Sequence, residues 1–99
     1  MAERITSGSL VANTVTQVVF NTWRSSLEIV NRSDVDMWAR VDGTNPAVAA
    51  NECIFVPAES YVVVSNPKIP PSAVGGNSTN CDIRMISASA CDYTVSAGI

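Results

Sequence analysis

The side chains of this chain that could do chemistry are its carboxylates and thiols, because it contains no histidine. Without imidazole, Ser-His-Asp and Cys-His catalysis, the usual zinc sites and the commonest general base near neutral pH all fall away. A pair of carboxylates can still hydrolyse a glycoside, and the candidates are Asp34 and Asp36 at a turn and Asp82 and Asp92 on strands. These read as a solvated turn and a solvated sheet face. Asp34, Asp36 and Asp42 have acidic character enough for calcium, but their spacing matches no calcium loop. Gly75-Gly76 lacks the strand-to-helix setting and the lysine of a phosphate loop. The expectation is a protein that is not an enzyme and holds no cofactor or metal, so a binding or structural role remains.

Three cysteines, Cys53, Cys81 and Cys91, are an odd number without metal-ligand spacing. They read as free, buried thiols in a reducing compartment. If residues 81–87 and 91–96 form a hairpin, Cys91 lies opposite Ser87 and Cys81 lies roughly 20 Å away at ~3.3 Å per residue. That geometry predicts no Cys81–Cys91 disulfide. Asn31-Arg32-Ser33 and Asn77-Ser78-Thr79 fit the glycosylation acceptor pattern. Residues 1–5 show no basic leader followed by an apolar stretch, so both are read as chance matches and synthesis in a cytoplasm is expected.

The chain has 99 residues, enough for one domain with a modest core. Apolar residues make up 46% and charged residues 15%, against ~25% charged in ordinary soluble domains. Such a surface is either covered in an assembly or built from Ser, Thr and Asn. The net charge is −3, and the bases Arg4, Arg24, Arg32, Arg40, Lys68 and Arg84 are scattered. No cluster follows a phosphate backbone, which argues against nucleic acid. The apolar runs are too short to span a membrane.

The elements that would carry any contact surface are strands. Residues 1–8 read as an arm ahead of a single domain at 9–99, and Arg4 and Ile5 are its contact candidates. Short β-prone runs follow at 9–12, 14–20, 27–31, 37–41, 52–56, 60–65, 81–87 and 91–96, separated by turn residues. Their spacing predicts an all-β, small antiparallel sandwich of about eight strands, Ig-like or jelly-roll-like, with no significant helix. Asn13 marks a turn or bulge, and Trp23 reads as a plug over an open end of the sandwich or an exposed contact.

The segment 27–43, LEIVNRSDVDMWARVDG, is expected to be the central hairpin, turning at Asn31-Arg32-Ser33-Asp34. Residues 52–65 and 81–96 read as two further hairpins. Period-two alternation puts Met37, Ala39 and Val41 in the core and leaves Trp38 and Arg40 outward, the composition of a protein contact. The competing reading is that the chain's own loops cover Trp38. Residues 66–80, with three prolines and two glycines, form an irregular loop in which Ile69 and Val74 are further contact candidates.

The order LEIVN at 27–31, VDGTNPAV at 41–48, FVPA at 55–58, and Ile86-Ser87 through Tyr93-Thr94-Val95 resembles the small β-sandwich virion proteins of tailed bacteriophages. In those chains a "VEVVNR" strand precedes a "VDGTTPTV" turn, a "VVPAG" corner and a closing "LIS…YTV" strand. Here Glu59 replaces the glycine of the corner, and residues 66–80 are richer in proline. The resemblance covers most of the chain from Leu10 to Val95. It implies a non-enzymatic virion protein, a head decoration or minor capsid component, made in the bacterial host cytoplasm. Its partners would be the major capsid protein or other virion proteins and copies of itself on the particle. A neck, tail or fibre module, or a carbohydrate-binding sandwich, are the alternatives.

Overall fold

The computed structural model describes residues 5–20, 24–66 and 82–97. They form eight strands and no helix: β1 (Ile5–Leu10), β2 (Thr16–Val19), β3 (Ser26–Asn31), β4 (Met37–Arg40), β5 (Ile54–Val56), β6 (Tyr61–Ser65), β7 (Asp82–Ile86) and β8 (Cys91–Ala97). Two four-stranded antiparallel sheets, in the orders β1-β8-β3-β6 and β2-β7-β4-β5, face each other. First with last, second with seventh, third with sixth and fourth with fifth, the strands pair as one long ribbon whose apex lies between β4 and β5. Rolling that ribbon adds the pairings β3·β8 and β4·β7. This is jelly-roll topology, the second of the two sandwich types expected.

The rolled ribbon corrects all three expected hairpins. β3 and β4 lie in different sheets, as do β5 and β6, and β7 and β8, so each turn carries the chain across the sandwich. The crossings are hydrogen-bonded to one another. Between 32–36 and 57–60, Glu59 N donates to Ser33 O at 2.9 Å and Ala58 N to Asp36 Oδ1 at 3.0 Å. Asn13 N donates to Ser87 O at 2.7 Å, joining the crossings beside β2 and β7. Asn13 is a turn residue with φ 58°. The geometric argument about Cys81 and Cys91 loses its hairpin; Cys81 lies outside the described residues, and Cys91 is a free, buried thiol.

The arm expected at residues 1–8 is also corrected. From Ile5 onward the chain is strand β1, laddered to β8 from Ile5↔Ser96 to Leu10↔Cys91. Gly8 serves packing within the strand: Tyr93, its cross-strand partner, lies over it. A Cβ there would come within 2.8 Å of Tyr93 Oη.

The core lies between the sheets. Leu27 and Ile29 from β3, Met37 and Ala39 from β4, Ile83 and Met85 from β7 and Val95 from β8 are fully buried, and β4 follows the alternation expected from its sequence. Each large side chain so buried contributes ~1.5–3 kcal/mol. The polar side chain of Asn31 is buried beside this core. Asn31 Nδ2 donates to Val35 O at 2.7 Å and Val56 O at 3.2 Å, and Oδ1 accepts from Ser33 N at 3.0 Å and Cys91 Sγ at 3.3 Å. All its hydrogen-bonding capacity is therefore turned to the interior, where it clamps the β3–β4 crossing to β5 and β8. A buried amide so engaged is no glycan acceptor.

Candidate functional site: the outer face of the β2-β7-β4-β5 sheet

Alternation in β4 fixes this face. Because Met37 and Ala39 are in the core, Trp38 and Arg40 point away from it, as the sequence predicted. The ladders then set their neighbours. Trp38 lies between Ile86 of β7 and Phe55 of β5, which makes an apolar row across three strands. Ile86 is buried, Trp38 half-buried, and Phe55 is 48% exposed. The Trp38 and Phe55 rings have centroids 5.7 Å apart and planes inclined at 42°, a tilted contact of the favourable kind.

The next row is polar, with Arg84 in register with Gln17 on one side and Arg40 on the other. Two guanidinium groups directly opposite repel, yet each has a carboxylate beside it. Arg40 donates to Asp42 through Nε at 3.2 Å and Nη2 at 2.6 Å. Arg84 donates to Asp82 at 3.3 Å, and Gln17 Nε2 to the same carboxylate at 3.1 Å. Asp82, expected to be solvated on its strand, is buried under these partners. The Arg40 fork, and after it the Thr44 hydroxyl, hold the Asp42 carboxyl well below the usual carboxylate range, while Asp42 raises the Arg40 guanidinium. The β4–β5 loop folds onto this row, turning at Gly43 with φ 86° and accepting from Arg84 Nη1 through Asn45 Oδ1 at 2.8 Å. The face is thus an apolar stripe beside charges already neutralised within the chain.

Of the contact candidates read from sequence, Trp38 and Arg40 are brought together here. Ile5 is 68% exposed, but on the outer face of the other sheet. Arg4, Ile69 and Val74 lie outside the described residues, as does Trp23. Phe55 and Ile86 were missed because a β3–β4 hairpin gives Trp38 the wrong neighbours. The alternation in ECIFV was the available signal for Phe55. Tyr61 and Val63, 63% and 52% exposed on β6, were also missed.

An open cleft of about 300 Å³ lies between the sheets at the β5–β6 side. Ala39, Val41, Ile54 and Val64 form its apolar lining, and Arg40, Asp42 and Glu52 its polar one. Among the described residues no three His, Cys, Asp or Glu side chains gather to hold a metal ion, and no helix is long and apolar enough to cross a membrane. The Cys91 thiol is pushed up chiefly by burial, partly offset by a hydrogen bond from Ser33. Comparison with protein-family models, with curated proteins and with solved structures found no match.

Proposed function

We propose that this chain is a non-enzymatic structural protein of a tailed-bacteriophage virion, a capsid decoration or minor capsid protein that stabilises the assembled head. The observation that carries the reading is the outer face around Trp38. It exposes aromatic surface, and its Arg40–Asp42 and Arg84–Asp82 pairs are closed within the chain. Covering such a face requires no lone charge to be stripped of water, while the apolar row supplies the dry centre of an interface. The motif order from Leu10 to Val95 supplies the virion context. Jelly rolls build capsids, but also lectins and enzymes, so the topology is compatible with this role without selecting it.

On this reading the major capsid protein or another virion protein is the partner, with several copies on each particle. Binding the assembled shell and not its free subunits stabilises the shell by mass action. A neck, tail or fibre module uses the same face against a different partner. A carbohydrate-binding sandwich calls for an open, flat aromatic platform, and the 42° tilt between Trp38 and Phe55 disfavours one. Mass spectrometry of heads separated from tails tests the reading. The chain is expected in the head fraction; its presence only with tails favours the neck or tail role, and its absence from particles overturns both.

A further inference from the structure

Among the described residues strand β6 is an edge of its sheet, paired with β3. Asn31 N donates to Ser60 O at 2.8 Å and Asn66 N to Ser25 O at 2.8 Å. By the two-residue repeat of an antiparallel ladder, Ser60, Val62, Val64 and Asn66 then turn their backbone groups toward β3. Tyr61, Val63 and Ser65 turn theirs outward, to an edge that no strand among the described residues pairs with. Natural edges are guarded by charge, proline, bulges or brevity. The β2 and β5 edges are four and three residues long, and β1, ITSGSL, is a continuous edge made mostly of polar residues and glycine. β6, YVVVS, carries no charge and no proline, and its ladder to β3 runs without a bulge.

The same strand borders the cleft. Val64 faces inward from β6 toward Ile54 of the opposite sheet, and both line the 300 Å³ space, which suits one large aliphatic or aromatic side chain. Arg40 and Asp42 at this cleft neutralise each other. Glu52 has no ion pair or side-chain hydrogen bond among the described residues, leaving the cleft with one uncompensated negative charge.

We propose that the β6 edge and this cleft form a docking site for an extended segment of a partner protein. The segment adds to β6 as a fifth strand, sets an apolar side chain between Val64 and Ile54, and carries a basic residue toward Glu52. Backbone bonding to Tyr61, Val63 and Ser65 supplies affinity, and the cleft and Glu52 supply selectivity. The site stands whether or not the chain belongs to a virion.

The probe is a blocked heptapeptide, Lys-Thr-Leu-Thr-Leu-Thr-Lys, titrated into the isotope-labelled chain and followed by amide NMR. Shifts and slowed hydrogen exchange are expected at Tyr61, Val63 and Ser65. N-methylation of the central threonine, which removes a strand hydrogen bond without touching the protein, is expected to weaken binding up to about tenfold, as is Val63→Pro. Aspartate in place of both leucines should abolish binding, and Glu52→Lys should reverse the preference for lysine-flanked over glutamate-flanked peptide. No shift at millimolar peptide, shifts centred elsewhere, or indifference to N-methylation and to Glu52→Lys would overturn the proposal. So would slowing of the same amides by rising protein concentration alone, which assigns the edge to a second copy.

Discussion

Replacing Asn31 by leucine tests how the rolled ribbon is held, because the side chains are of similar size and only the hydrogen bonds are lost. Val35 O and Val56 O lose their donor and Ser33 N its acceptor. An orphaned buried polar group costs ~1–3 kcal/mol. Val56 O sits in the interior, and the other two lie on the half-buried β3–β4 crossing where water offsets part of the loss. With a gain of about 1 kcal/mol for burying an apolar group, Asn31→Leu is expected to destabilise by about 3 kcal/mol. For a chain of this size that is a large share of the ~5–15 kcal/mol total. In urea, with a slope near ~1.5 kcal/mol/M, the midpoint followed by tryptophan fluorescence should fall by about 2 M. Ile29→Val, expected near ~1 kcal/mol, calibrates ordinary core trimming in the same strand. A fall of under ~0.5 M for Asn31→Leu, or one no larger than that of Ile29→Val, refutes the clamp.

Glu59 stands at φ 55°, a left-handed conformation that costs a non-glycine residue ~1–2 kcal/mol; after the added chain entropy of glycine, Glu59→Gly should raise stability by about 0.5–1 kcal/mol in the same urea assay. Gly8→Ala forces a Cβ to 2.8 Å from Tyr93 Oη, and a loss of over ~1 kcal/mol is expected, reduced when combined with Tyr93→Ala. Because the Asp42 carboxyl titrates below its unfolded value, its contribution is present above about pH 4 and is lost as pH falls toward the lowered value. Asp42→Asn should therefore flatten the acid limb of the stability–pH curve, by a small amount since the side chain is 40% exposed.

The strands were legible because alternation is local. MWARV announces one apolar and one polar face whatever its partner, and Trp38 and Arg40 are on the outer one. Pairing was not legible. The turn residues at Asn31–Asp34 mark a reversal, but a reversal inside a sheet and a crossing between sheets use the same residue types. What distinguishes them here is Asn31, whose amide reaches Val35 within the crossing and Val56 of β5, the second a contact that exists only after β5 has come to lie beside the crossing. Phe55 joined the site for the same reason, through the register Trp38↔Phe55. In β6, Tyr61, Val63 and Ser65 and the alternate set Val62 and Val64 are both plausible core faces, and only the opposing sheet decides. Glu59 is the converse case. The corner glycine of the resembling chains falls where this backbone is left-handed, so the departure in sequence marked a strained position.

On the proposed function, the Trp38 face is a contact made in an assembled particle. Cryo-electron microscopy of purified heads tests it most directly. Density for this two-sheet domain is expected on the shell, with the β2-β7-β4-β5 sheet turned inward and Trp38 and Phe55 covered by the neighbouring protein. Heads that lack the domain, or carry it with that sheet facing solvent, would contradict it.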